Sequence, residues 1–196
     1  MSATTLDVGF ILDGSATLGK DGFEQVKKFV EKLIGSYEIS PQGTHVGVVE
    51  FSEKPTVKIP FDKSYNLEQL RRLVKEIEPS NKNARNTDLA FELAKKELFS
   101  AKNGSRPEAA RIVILVTAGK STGVKSMRDV VKPFRDDRIR IYVVGVGNKT
   151  DVTELVDTAD DKTRVVVTGT PEETPDAVTV VVKIIGDDTE KSTYLK

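Results

Sequence analysis

Apolar runs alternate with amphipathic runs from one end of the chain to the other. Leu6 to Leu12 is apolar and stops at Asp13-Gly14-Ser15. Phe23, Val26, Phe29, Val30, Leu33 and Tyr37 then recur at helical spacing. His45 to Phe51 and Thr56 to Phe61 are two short β-type runs. Ser52-Glu53-Lys54-Pro55 joins them tightly enough for an antiparallel hairpin. Leu67, Leu70, Leu73, Val74 and Ile77 form a second helical stripe, ended by Pro79. Leu89, Ala90, Leu93, Ala94 and Leu98 form a third.

Ile112 to Val116 and Ile139 to Val146 are continuous apolar runs without alternation, as expected of strands buried on both faces. Between them Val124, Met127, Val130, Val131 and Phe134 mark a helix face. A short helix over Val152 to Val156 and a strand over Val165 to Val167 follow. Thr174-Pro175 reads as a helix start, with threonine as cap and proline at the first position. Ala177 to Ile185 is rich in β-branched residues, but Val178, Val181, Ile184 and Ile185 share a helical face, so it reads as helix.

Strands that alternate with helices predict a doubly wound α/β fold. Its central sheet has about six strands, mostly parallel, with one antiparallel edge strand near Thr56 to Phe61 and helices on both faces. No repeat or linker interrupts the pattern. One domain is expected over residues 6–186, with tails at 1–5 and 187–196. Ligands of such folds sit at the carboxyl ends of the strands. The loops to examine are 13–19, 80–87, 117–123 and 145–150.

Composition narrows the chemistry. The chain has 196 residues, 30 basic and 30 acidic side chains, one histidine and no cysteine. Thiol nucleophiles, iron–sulfur clusters and thiolate zinc sites are therefore excluded. The charge balance argues against nucleic-acid binding, and no apolar run reaches the ~20 residues that a membrane span needs. The opening Met-Ser-Ala-Thr-Thr has no apolar stretch, so no signal peptide is expected there. Asn103-Gly104-Ser105 and Asn148-Lys149-Thr150 are glycosylation sequons.

The first loop, Asp13-Gly14-Ser15-Ala16-Thr17, sets a carboxylate and two hydroxyls at alternate positions. Such oxygens suit a hard cation. Equally, they suit a turn, with Asp21 capping the helix that follows. Other features carry less. Gly119-Lys120-Ser121 looks like the end of a phosphate-binding loop, but the first glycine of that motif would fall on Ile114, inside a strand. Gly145-Val146-Gly147 lacks the third glycine of a dinucleotide loop, with Thr150 in its place. Ser15 lacks the Gly-x-Ser-x-Gly elbow, and His45 has no acidic or serine partner near it in sequence. Arg71-Arg72 and Lys95-Lys96 are basic helix faces open to solvent, or to sulfated sugars.

Four segments carry a resemblance. Asp7-Val-Gly-Phe-Ile-Leu-Asp-Gly-Ser15 resembles the first strand of a von Willebrand factor type A domain. His45 to Ser52, Arg111 to Thr117 and Ile141 to Gly147 resemble its second, fourth and fifth strands. The style is similar to that of extracellular members: integrin inserted domains, matrilins and the type A repeats of collagen VI. Such domains often carry a metal-ion-dependent adhesion site: an Asp-x-Ser-x-Ser loop, a threonine from a second loop and an aspartate after the fourth strand.

Carried over residue by residue, Asp13 and Ser15 match, and Thr17 keeps a hydroxyl. The ligand threonine falls on Arg85, with Thr87 at the second threonine, and the aspartate falls on Ala118. A guanidinium ~4 Å from a divalent ion repels it by several kcal/mol even at a dielectric of about 20. The resemblance therefore implies a degenerate site without a metal, in which Arg85 pairs with Asp13. It implies a non-catalytic, secreted adhesion or matrix-assembly module, part of a multidomain protein, with matrix partners such as collagens. Two alternatives stand beside it. One is a magnesium- or manganese-dependent domain using Asp13, Ser15, Thr17 and Thr87. The other is a structural spacer.

Overall fold

A computed structural model describes residues 5–194. Six strands form one sheet: β1 (Leu6–Asp13), β2 (Thr44–Phe51), β3 (Pro55–Ile59), β4 (Ala110–Thr117), β5 (Arg140–Val146) and β6 (Val165–Thr168), in the order β3-β2-β1-β4-β5-β6. Every pairing is parallel except that of β2 with β3. The fold is the doubly wound arrangement that the pattern predicts, with β3 as the antiparallel edge.

β1 lies at the centre, and all eight of its residues are buried. Side chains alternate across a strand. Val8, Phe10 and Leu12 therefore enter one core layer, with Phe23, Val26, Phe29, Val30 and Leu33 of α1 (Gly19–Ile34). Ile11 enters the other, with Val49, Phe61, Phe91, Phe99 and Phe134. Gly9 lies beside Gly47 in register on that second face. A Cβ on Gly9 would come within 2.8 Å of the Phe99 ring, and one on Gly47 within 2.6 Å of Leu98. The two glycines are where the chain at 98–99 descends onto the sheet.

That descent comes from a feature the helical stripe did not predict. α3 (Thr87–Leu93) continues into a wider turn over Ala94–Leu98. The Phe99 amide there reaches back five residues to the Ala94 carbonyl at 2.8 Å, the signature of a π turn. Phe99 then packs edge-on against Phe61 and Phe134.

α2 (Leu67–Lys75) is capped at its start by the Asn66 side chain. At its end the buried ammonium of Lys27 takes the carbonyls of Lys75 and Ile77 at 2.8 and 3.2 Å. α6 (Val152–Ala159) has Asp151 as its cap.

Four expectations need correction. Asp21 does not cap α1; the helix starts after Leu18 without a side-chain cap, and Asp21 sits in the first turn, where a negative charge suits the helix dipole. The stripe over 124–134 is two short helices, α4 (Met127–Val130) and α5 (Lys132–Asp136), because Pro133 cannot donate within a continuous helix. Val124 lies outside both and is 97% exposed. Thr174-Pro175 does not open the last helix. A 3₁₀ segment, Pro171–Ala177, comes first, and α7 (Val178–Tyr194) follows. Residues 187–194 are helical, not a tail, since the Asp188 carboxylate takes the Arg164 guanidinium at 2.7 Å and the Tyr142 hydroxyl at 3.0 Å. Residues 1–4 and 195–196 of the expected tails lie outside the described residues.

The amino end of β1 is closed by charge. Asp7 is wholly buried, and Arg106 meets it with Nε at 2.9 Å, Nη2 at 2.7 Å and its own amide at 2.6 Å. The same Nη2 also lies 2.8 Å from the Gly43 carbonyl. Removing one partner of a buried pair strands the other charge. Arg106→Leu should therefore lower the unfolding free energy in urea by about 3–5 kcal/mol. A loss under about 1 kcal/mol, the range of an exposed pair, would show that Asp7 does not depend on it.

Candidate functional site

The carboxyl ends of β1 and β4 bring loops 13–19, 80–86 and 117–123 together. Asp13, the last residue of β1, is fully buried. Its Oδ1 accepts the Ser15 amide at 2.9 Å. Its Oδ2 accepts three donors: Arg85 Nε at 2.8 Å, the Ala118 amide at 2.9 Å and the Thr117 hydroxyl at 3.0 Å. The pairing of Arg85 with Asp13 expected from the sequence is present in the geometry.

Arg85 is itself held from all sides and is only 7% exposed. Nη2 reaches the hydroxyls of Thr17 at 2.5 Å and Ser15 at 3.3 Å, and Nη1 reaches the Lys120 carbonyl at 3.0 Å. The Arg85 amide donates to the Thr122 hydroxyl at 2.8 Å, and its carbonyl accepts from the Thr122 amide at 2.7 Å. One guanidinium thus binds the three oxygen groups of the first loop and ties them to the loop after β4. Gly119 makes this possible, since a Cβ there would lie 2.5 Å from Arg85 Nη1.

A second buried carboxylate builds the loop that carries Arg85. Glu50, near the end of β2, accepts the Ser80 amide at 2.7 Å and the Ser80 hydroxyl at 2.9 Å. The Asn81 amide then donates to the Gly14 carbonyl at 2.7 Å, and the Ala16 amide to the Lys82 carbonyl at 2.8 Å. The Ser52 hydroxyl donates to the Ala84 carbonyl at 2.6 Å. Loop 80–86 is therefore laced to loop 13–16 before Arg85 reaches inward.

Thr87 is not brought to Asp13. It begins α3, is buried, and its hydroxyl has no partner. Asp88, beside it, is a buried carboxylate that accepts the Leu89 amide at 2.9 Å and the Lys125 amide at 3.3 Å, pressed against Gly123. Ala118 is buried and offers only its amide to Asp13. Among the described residues no three Asp, Glu or His side chains are grouped to hold a metal ion.

The sequence reading missed Glu50, Asp88 and Gly119. A glutamate inside the buried run of β2 was the available signal for Glu50. Nothing in the local sequence marks the other two.

Around the cluster the charges are spent in pairs. Lys120 Nζ lies 3.0 Å from Asp151, and that contact holds the Asp151 carboxyl below the usual carboxylate range. Burial pushes the Glu154 carboxyl up, although the Ser121 amide donates to it at 2.7 Å. A cleft of about 230 Å³ opens beside the site, lined by Thr17, Ala118, Gly147, Asn148 and Pro171 among others.

The remaining candidates sit elsewhere. His45 is buried and donates from Nε2 to the Pro41 carbonyl at 3.0 Å, with Nδ1 4.0 Å from Asp7. Arg71 pairs with Glu68 at 2.8 Å and Lys95 with Asp137 at 2.6 Å, so the two basic faces are partly neutralised. Asn103 lies in the 3₁₀ turn after the π turn, and Asn148 in the loop after β5.

If Gly119 exists to admit the guanidinium, Gly119→Ala should destabilise by about 1–3 kcal/mol through overpacking. Most of that loss should vanish in an Arg85→Ala background. A double-mutant cycle by urea unfolding checks it, with additive losses contradicting the account.

Comparison with known proteins identifies the family and the fold. The sequence model of the von Willebrand factor type A domain matches residues 7–179. von Willebrand factor from Rattus norvegicus is 31% identical over 150 residues, which cover 76% of this chain and 33% of that protein. Matrilin-1 from Gallus gallus is 31% identical over 147 residues, covering 75% and 29%. The collagen alpha-1(XXI) chain from Homo sapiens is 33% identical over 149 residues, covering 76% and 15%. The chain thus spans a third or less of the length of each of these relatives. Among solved structures, proximal thread matrix protein 1 from the mussel byssus superposes with a TM-score of 0.89 at 23% identity, over 94% of this chain and 49% of that one. No helix among the described residues is long and apolar enough to cross a membrane. The family match over residues 7–179, most of the chain's length, places this chain in the von Willebrand factor type A domain family.

Proposed function

We propose that this chain is a non-catalytic adhesion or matrix-assembly module of the extracellular matrix that binds protein partners without a metal ion. The matrilin and collagen relatives support the matrix setting. The observation that carries the metal-free reading is the Arg85 guanidinium on Asp13.

The family implies a magnesium or manganese ion at this place, and the residues here do not fit one. Both Asp13 oxygens already accept donors, three of them on Oδ2. The Ser15 and Thr17 hydroxyls face Arg85 Nη2. Ala118 supplies no carboxylate, and Thr87 points its hydroxyl into a buried place without a partner. Magnesium needs near-ideal octahedral oxygen geometry and gives up its water reluctantly. A fixed cation with its own hydrogen bonds leaves it neither oxygens nor negative charge.

The contacts with partners then fall on the loops and sides of the domain. Val124 in the loop after β4 is 97% exposed, and Val152 at the start of α6 is 57% exposed. Val124 lines a second cleft together with Lys120, Met127 and Glu154, and Val152 stands in sequence between two further lining residues, Asp151 and Thr153. Of the charges lining that cleft, Lys120 is paired with Asp151, Asp157 with Arg128 and Lys125 with Glu92. Ser121, Ser126 and Thr153 also line the cleft, so a partner would meet an exposed valine set among polar groups.

Thermal unfolding with magnesium or manganese, and again with EDTA, tests the metal-free reading. The wild-type midpoint should not move. An Arg85→Thr, Ala118→Asp variant should gain up to about 2.7 kcal/mol at a metal concentration 100 times its dissociation constant. A metal-dependent shift in the wild type would overturn the proposal.

A further inference from the structure

We infer that Asn148 is an N-glycosylation site, that Asn103 is not, and that the sugar at Asn148 covers the cleft beside Arg85. The inference rests on the reading of the chain as a secreted module, because the transferring enzyme meets only secretory cargo.

Both asparagines stand in sequons, and the fold treats them in opposite ways. Asn103 is half-buried, and its side-chain nitrogen donates to the Glu97 carbonyl at 2.7 Å. Its amide donates to the Ser100 carbonyl at 3.1 Å, and its carbonyl accepts from Phe61 at 2.9 Å. The next residue, Gly104, has φ 81° and lies where a Cβ would come within 2.7 Å of the Asp62 side chain. The sequon hydroxyl, on Ser105, is buried without a partner. The side-chain nitrogen, amide and carbonyl of Asn103 are all engaged, and a sugar on Nδ2 would have to leave through a packed turn.

Asn148 is the reverse. Its side chain is exposed and makes no hydrogen bond among the described residues. Gly147, at φ 79°, turns the chain outward and anchors the loop through its amide to the Thr168 carbonyl at 2.9 Å. The sequon hydroxyl, on Thr150, is half-buried, 3.3 Å from the Gly147 carbonyl within the same loop. The loop therefore offers both sequon groups without disturbing the core.

The chemistry is a group transfer to Nδ2 from an oligosaccharide carried on a lipid pyrophosphate. The sugar C1–O bond breaks and a C1–N bond forms. The amide loses one proton, and the lipid pyrophosphate leaves with the electron pair. Since Asn148 itself lines the cleft with Thr17, Ala118 and Pro171, the sugar would stand at its mouth. The face that other family members use for a metal would then be closed twice, by Arg85 from within and by carbohydrate from outside.

The test is expression of the chain behind a secretion signal in mammalian cells, with intact mass and glycopeptide mapping. Wild type should carry one N-glycan. Asn148→Gln should lose it, and Ser105→Ala should keep it. Ser105→Ala removes the other sequon while deleting only an unpartnered hydroxyl, so its folding is not at risk. A secreted, folded wild type bare at Asn148, or occupied at Asn103, would overturn the inference. Hydroxyl-radical footprinting reads the covering separately: Pro171 should be labelled several-fold less in the glycosylated wild type than in Asn148→Gln. Equal labelling would refute it. Occupancy in secretory cells does not depend on metal or partner binding, so failure here is distinct from failure of the proposed function.

Discussion

The central strand carries a buried carboxylate at each end, and the fold depends on how those two charges are met. Asp7 opens β1 and Asp13 closes it, both wholly buried. An unpaired carboxylate in that setting is too costly to keep. Each is answered by an arginine from far along the chain, Arg106 for Asp7 and Arg85 for Asp13. These pairs do more than neutralise. Arg106 ties the segment before β4 to the start of β2 through the Gly43 carbonyl. Arg85 ties the loop before α3 to the loops after β1 and β4. Both ends of the sheet are stapled through the same strand.

The pair at Asp13 also decides what the site can do. A divalent ion and a guanidinium answer the same carboxylate in different ways. An ion leaves coordination positions open to a partner's acidic side chain. The guanidinium spends four of its hydrogen-bond directions on Asp13, Ser15, Thr17 and Lys120, all within the chain. Such buried pairs contribute little net stability once desolvation is counted, but breaking them is costly. The consequence is a neutral, closed cluster that resists opening. Under the proposed function, partner contacts fall instead on the loops and sides of the domain, where Val124 and Val152 are exposed.

Much of the fold was legible because burial writes itself into strands. Runs without alternation, such as Ile112 to Val116, gave the parallel sheet, and the tight join at Ser52 to Pro55 gave its antiparallel edge. The carboxylate at Asp13 and the misplaced charge of Arg85 were legible as well, because the loops that bear them follow recognisable strands. The π turn at 94–98 was not, since its periodicity differs from an α-helix by one residue in a stripe only ten long. Nor was the break between α4 and α5, where Val130, Val131 and Phe134 keep a helical face across Pro133. The start of α7 was misread because Pro171 and Pro175 both satisfy the rule for a first helical position. Glu50 and Asp88 escaped for another reason: each takes a donor from a loop distant in sequence, Ser80 for Glu50 and the Lys125 amide for Asp88, and such partners are not written beside them.

The central claim is that Arg85 permanently fills the place of a cation at Asp13, and manganese paramagnetism in solution tests it most directly. In a titration followed by amide NMR, the Ser15 and Ala118 amides, both bonded to Asp13, report on any ion that settles there. The account predicts that they broaden no sooner than amides beside exposed surface carboxylates such as Asp136. Selective broadening of Ser15 and Ala118 at the lowest manganese additions would contradict it, and would mean that the guanidinium yields its place to a metal.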